Sequence, residues 1–124
     1  MISGENDHPD TFDITLVGGG PVGLFGLFYA GLRGLKAKLI DSLSELGGQL
    51  ITLYPEKYIY DVAGYPKVLA KDLAKYCVEQ GLRFHPTICL DEKVTDLRYG
   101  EDRLIHLITD KGEHWTRAVV LTVG

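Results

Sequence analysis

The stretch FDITLVGGGPVG, Phe12 to Gly23, decides the fold of this chain. Ile14, Leu16 and Val17 form a short apolar run of the kind that makes a buried parallel strand. Gly18, Gly20 and Gly23 follow with the spacing G-x-G-x-x-G, and Leu24 to Gly31 continues as an apolar, helix-compatible segment. Gly18 permits a tight turn, Gly20 lets backbone approach a pyrophosphate, and Gly23 lets helix pack closely on strand. A helix N-terminus offers unpaired N–H groups and the positive end of a dipole, so phosphates can bind there without a lysine.

Three glycines also occur in ordinary turns, so the context matters. A second apolar run, Ala37 to Ile40, ends at Asp41, 18 residues beyond Gly23. That is close to the offset of about 20 residues at which an acid takes a ribose hydroxyl. Strand, glycine turn, helix, strand and acid together read as a dinucleotide site. Gly47-Gly48-Gln49-Leu50 then suggests backbone running close to the ligand again, with Gln49 offering both a donor and an acceptor.

Composition bounds the class. The 124 residues suffice for one domain with a sizeable core, and 45% hydrophobic with 24% charged residues is ordinary for a globular protein. The net charge of -4 argues against nucleic acid or an anionic membrane as partner. No apolar run reaches the roughly 18 residues of a spanning helix. The opening MISGENDHPD has neither a basic n-region nor an apolar h-region, so a cytoplasmic location is expected. Cys77 and Cys89 match neither a zinc pair nor a redox Cys-x-x-Cys and read as buried thiols acting as small hydrophobes, without a disulfide. The four histidines, His8, His85, His106 and His114, are too scattered to be metal ligands.

Residues 1–11 read as a mobile lead-in and 12–124 as the domain. The first helix is expected from Pro21 to about Arg33, with Gly34 as its stop, and the second strand from Lys36 to Asp41. Leu53 to Pro66, with four tyrosines, reads as a loop; the rings are either a packed corner or a platform for a flat ligand. Glu56 and Lys57 read as a solvated ion pair. An amphipathic helix is expected over Lys67 to Phe84, with Val68, Leu69, Leu73, Tyr76, Cys77 and Gln80 near one face. Thr87 to Leu90 follows as a third parallel strand. Three alternating segments, 93–98, 103–109 and 113–117, separated by turn residues, read as a β-meander, and Ala118 to Gly124 as a separate closing strand.

This order resembles the FAD-binding domain of the two-dinucleotide-binding flavoprotein reductases: a Rossmann-like α/β domain, parallel sheet with helices plus a three-stranded β-meander. The glycine fingerprint, the acid at Asp41 and a closing Thr122-x-Gly124 strand are all present. Within that superfamily GGQLITLYPEKYIYDVAGYP, Gly47 to Pro66, is similar to the thioredoxin-reductase-like (type 2) ferredoxin–NADP reductases, and the resemblance runs over nearly the whole chain.

The resemblance implies roles. Gly18, Gly20, Pro21, Val22 and Gly23 would hold the FAD pyrophosphate and Asp41 the adenosine ribose. Gly48 and Gln49 would lie at the cofactor, Gln49 against the flavin part. Tyr54 would lie on the isoalloxazine ring, and Val94 would meet adenine through its backbone. Tyr58, Tyr60 and Tyr65 would pack. No side chain here is expected to be catalytic and none to bind metal. Family members continue into an NADPH domain and return to complete the FAD domain, so the chain reads as an incomplete piece. The implied function of the whole is hydride transfer from NADPH to FAD, then single electrons to ferredoxin or flavodoxin, in a possible homodimer. A thioredoxin-reductase-type disulfide reductase and a non-catalytic FAD-binding module are the alternatives.

Overall fold

A computed structural model describes residues 8 and 10–124. Most of the expected lead-in therefore lies outside the described residues; of its described part, the His8 ring stacks on Trp115 with centroids 3.7 Å apart. Along the chain come β1 (Phe12–Val17), α1 (Pro21–Leu32), β2 (Ala37–Ile40), α2 (Gln49–Thr52), β3 (Tyr58–Ile59), β4 (Val68–Leu69), α3 (Ala70–Gly81), β5 (Thr87–Cys89), β6 (Val94–Tyr99), β7 (Ile105–Thr109) and β8 (Gly112–Leu121). The main sheet has six strands in the order β5-β2-β1-β8-β7-β6. The first four are mutually parallel, and β8, β7 and β6 are antiparallel. The architecture is α/β with a mixed sheet, parallel strands and meander together.

The central strands are buried because the helices cover one of their faces. Leu16 on β1 and Leu39 on β2 are in register, and both pack with Leu24, Leu27 and Ala30 of α1 in the core cluster. α1 is apolar throughout its length, which intrinsic propensity alone would not sustain with three glycines in it; burial against the sheet does. Its C-terminus closes in a Schellman arrangement, Leu35 N–H to Ala30 O and Gly34 N–H to Gly31 O. Within the meander, Leu104 and Leu107 are buried.

Three expectations are corrected. First, the helix predicted from Lys67 starts at Ala70, because Val68–Leu69 pairs antiparallel with Tyr58–Ile59. The first α3 donors are met by the preceding loop: Ala70 N–H bonds Lys57 O at 2.8 Å and Lys71 N–H bonds Pro55 O at 2.9 Å. Second, the inward stripe of α3 is Ala70, Leu73, Ala74 and Gly81, with Cys77 and Val78 partly buried, while Tyr76 and Gln80 face outward. Small residues at 70, 74 and 81 let α3 approach α1, and Tyr76 stacks instead on Tyr65 with centroids 6.0 Å apart. Third, the last meander strand and the closing strand are one element. β8 pairs with β7 through Gly112–Thr116 and with β1 through Thr116–Leu121, changing partners without a break.

The tyrosine loop also differs in detail. Tyr58, Tyr60 and Tyr65 are all exposed rather than packed, although Tyr65 stacks on Tyr76, since backbone bonds rather than buried rings hold the segment. Glu56 pairs with Lys71 at 3.1 Å, and Lys57 lies over the Tyr54 ring at 5.2 Å, so the two do not pair with each other. No helix among the described residues is long and apolar enough to cross a membrane.

Candidate functional site

The carboxyl ends of β1, β2 and β8 meet at the glycine turn. Gly18 N–H bonds Ile40 O at 2.9 Å, and Thr122 N–H bonds Val17 O at 2.8 Å. The Thr122 hydroxyl donates to the Gly18 and Val17 carbonyls, at 2.8 and 3.1 Å. A Cβ on Gly18 would overlap the Thr122 carbonyl, and one on Gly23 would overlap the Gly18 carbonyl. Here glycine is demanded by the protein's own packing. Gly20 differs: its φ of -78° and ψ of -172° suit any residue, and a Cβ there would meet nothing within 4 Å. The space before Gly20 is left clear.

Gly20 is also the N-cap of α1, with no side-chain cap and no acid in the first turn. The first N–H groups of α1 thus face the cavity without a side-chain partner, at the positive end of the helix dipole. Pro21 starts the helix, where its missing N–H costs nothing.

Asp41 anchors the neighbouring wall. Its Oδ2 accepts from Gly19 N–H at 2.8 Å and its Oδ1 from Leu43 N–H at 3.2 Å. The side chain is 9% exposed, and each oxygen has a lone pair left over for a hydroxyl donor. Its main chain accepts from Glu92 N–H at 3.0 Å, tying β2 to the segment that leads into β6. Gly47 N–H bonds Gly19 O at 2.9 Å, and a Cβ on Gly48, at φ 61°, would press on the Gly20 Cα at 2.9 Å. The second glycine pair is therefore folded against the first.

These groups line a cavity of about 570 Å³ formed by residues 18–22, 41–43, 48–50, 52–53 and 122–124. It holds Gly18, Gly20, Pro21, Val22, Asp41, Gly48 and Gln49; Gly23 lies buried behind it. No lysine or arginine lines it. Pro21 and Leu50 also line an adjoining hollow of about 610 Å³ that contains Tyr54. Gly18, Asp41, Ser42 and Val123 also line a smaller one, about 230 Å³, with Glu92, Lys93 and Val94. Each of the two shares lining residues with the central cavity, Tyr54 lying in one and Val94 in the other. A larger cleft, about 910 Å³, runs between the outer faces of α1 and α3 and holds neither the glycine turn beyond Pro21 nor Asp41.

Sequence reasoning missed Gly19, whose N–H fixes Asp41, and Thr122 as the clasp of the turn; the second stood in the Thr-x-Gly pattern. It also missed Glu92, which lines the smaller hollow and is buried at 7% exposure. Burial opposes ionisation of Glu92, but hydrogen bonds from Thr109 and His114 outweigh it and hold the carboxyl below its usual range. Cys77 and Cys89 are free thiols, only partly buried rather than buried as expected, and that partial burial pushes both up. No group of three or more metal-ligating side chains exists among the described residues.

No family model matches the chain. The ferredoxin–NADP reductase 2 of Shouchella clausii is 52% identical over 118 residues, which is 95% of this chain and 36% of that protein. The ferredoxin–NADP reductase of Geobacillus thermodenitrificans is 51% identical over 115 residues, 93% of this chain and 35% of that one. A thioredoxin reductase from Streptococcus pyogenes superposes with a TM-score of 0.81 at 20% identity, over 94% of this chain and 36% of that one. The chain thus spans about a third of the length of the curated relatives it matches. By sequence it is homologous to the N-terminal third of the type 2 ferredoxin–NADP reductases, and by fold it is thioredoxin-reductase-like.

Proposed function

We propose that the chain is the FAD-binding portion of an NADPH-dependent flavoprotein oxidoreductase of the ferredoxin/flavodoxin–NADP reductase kind. The observation that carries this is the clear space before Gly20 at an uncapped helix N-terminus, a position where glycine serves no need of the protein itself. Such a cradle suits a pyrophosphate held by backbone N–H groups and the helix dipole. Gly18 and Gly23 keep the turn tight beneath it. Asp41, braced by two N–H donors, has lone pairs to accept the ribose hydroxyls. Val94 would serve the adenine from the edge of β6, and Gln49 with Tyr54 the flavin end.

The flavin, when bound, would supply hydride acceptance and single-electron release. The chain's own residues bind and orient it; none needs to act as acid, base or nucleophile. NADPH and the ferredoxin or flavodoxin acceptor would engage the remainder of a longer protein, about two thirds of which has no counterpart in this chain. The thioredoxin-reductase-type reading has less support, with about a fifth of residues identical against about half.

The test is titration of the chain with FAD by flavin fluorescence, beside Asp41→Ala. Saturable binding that is weakened in the variant supports the reading. A folded chain that leaves FAD fluorescence unchanged contradicts it.

A further inference from the structure

Behind the small hollow at Val94 lies a buried polar chain that the nucleotide reading does not use. Lys38 on β2 is 7% exposed, and its Nζ reaches across β1 to His114 Nδ1 on β8 at 2.8 Å. On the other side of the ring His114 Nε2 contacts Glu92 Oε2, which also accepts from the Thr109 hydroxyl at 2.6 Å. An ammonium has donors only and a carboxylate acceptors only. With Lys38 and Glu92 ionised, the ring must therefore accept at Nδ1 and donate at Nε2, which is the neutral tautomer. The imidazole is gripped from both ends.

The grip is coupled to the pocket wall. Glu92 N–H bonds the Asp41 carbonyl at 3.0 Å, and Asp91 N–H bonds the Leu43 carbonyl at 3.0 Å. Through its side chain and its main-chain N–H, Glu92 thus joins the backbone of Asp41, on the pocket wall, to the His114 ring. A second proton on His114 would place an N–H at Nδ1 against the Lys38 ammonium, in a spot with little water to screen them. The ring cannot withdraw from Lys38 without pushing on Glu92, to which it stays bound. Thr15, in register with Lys38 on β1, has a fully buried hydroxyl with no partner among the described residues, an acceptor for the displaced ammonium.

Other charged groups around the chain do not compensate. Lys38 also feels Cys89 and Asp10 as stabilising neighbours and Lys36 as a repelling one, and burial, the largest effect, lowers its ammonium's pKa. Glu92 also faces Lys111. None of these lies hydrogen-bonded to His114.

We propose that Lys38, His114 and Glu92 form a proton-sensitive brace for the adenosine end of the nucleotide pocket. The brace holds the wall at Glu92–Val94 against Asp41 while His114 is neutral and slackens when the ring takes a second proton. It rests on the nucleotide-site reading, and FAD is the probe. Titrations are compared at about pH 7.5 and about pH 5.5, across the range in which imidazole side chains commonly change charge. The chain is expected to bind FAD more weakly at the lower pH, by at most about tenfold per pH unit for linkage with one proton. His114→Gln, whose amide oxygen and nitrogen can take the roles of the two ring nitrogens without titrating, should abolish that pH dependence. Lys38→Met removes the repelled ammonium and should abolish it too, so failure of one variant to fold leaves the other.

A flat profile in the parent chain, or a drop that persists in both variants, overturns the brace while leaving the nucleotide site standing. Absence of FAD binding at both pH values instead overturns the nucleotide reading. In that event the amide resonances of Asp41, Glu92, Lys93 and Val94 in the unliganded chain decide the brace. Shifts that follow the His114 imidazole titration support it, and shifts independent of that titration refute it.

Discussion

Replacing Gly20 and Gly23 by alanine, one at a time, separates the glycine that serves a ligand from the glycine that serves the fold. At Gly23 a Cβ would overlap the Gly18 carbonyl oxygen and lie 2.7 Å from Thr122 Oγ1. Neither can retreat, because Thr122 Oγ1 is bonded to the Gly18 and Val17 carbonyls and β8 is held in register with β1 at Val17 and Leu121. The helix must lift from the sheet. Overpacking of this kind costs about 1–3 kcal/mol, offset by at most about 1 kcal/mol of helix propensity, so a net loss of about 1–2 kcal/mol is expected. At Gly20 the added Cβ meets nothing within 4 Å, at a backbone geometry open to alanine. The poorer N-cap and the reduced unfolded-state entropy nearly cancel, leaving stability within about 0.5 kcal/mol. FAD, however, should lose at least one hydrogen bond to a charged oxygen, about 1.5–3 kcal/mol, or roughly ten- to a hundredfold in affinity. Urea unfolding and FAD fluorescence titration read the two effects. If Gly20→Ala destabilises as much as Gly23→Ala, or binds FAD like the parent, the division of labour between the two glycines is refuted.

Asp41→Asn keeps an acceptor for only one of the N–H groups of Gly19 and Leu43, which bond different oxygens. It should cost about 1–3 kcal/mol in urea unfolding as well as weakening FAD, whereas an unchanged midpoint would mean that the clasp is not formed. Leu27, at 1% exposure, fills the space between α1 and the sheet, and Leu27→Ala should cost about 3–5 kcal/mol; a loss under about 1 kcal/mol would show that α1 is not docked there. His106 is held above its usual value by hydrogen bonds to Glu113 and then Asp102. Its contribution to stability is therefore present below about pH 6.5 and is lost as pH rises through the raised folded value. His106→Gln should remove that decline, followed through the fluorescence of Trp115, the sole tryptophan, against which His106 sits edge-on at 6.1 Å.

What the sequence displayed most clearly is what is local in it. The glycine turn, α1 and Asp41 follow from spacing and period over some thirty residues, and their elements lie where the pattern puts them. Val68–Leu69 reads as helix in the sequence because two apolar residues ahead of an amphipathic run continue its period. They form a strand only through pairing with Tyr58–Ile59, which no local pattern reveals. β8 was divided because its composition changes at Ala118 from alternating to apolar. That change marks a new neighbour, β7 giving way to β1 alone, rather than the end of a strand. The Lys38–His114–Glu92 chain is invisible in the sequence for the same reason: its members are 76 and 22 positions apart and meet only when β8 lies down beside β1 in the sheet.

The measurement that bears most directly on the central claim is the change in backbone amide resonances as FAD is added to the isotopically labelled chain. Saturable shifts are expected at the glycine turn, Gly18 to Gly23, at Asp41 and near Val94, in and beside the cavity at the carboxyl ends of the strands. Shifts confined to the cleft between α1 and α3, or none in a chain whose spectrum is that of a folded protein, would contradict it.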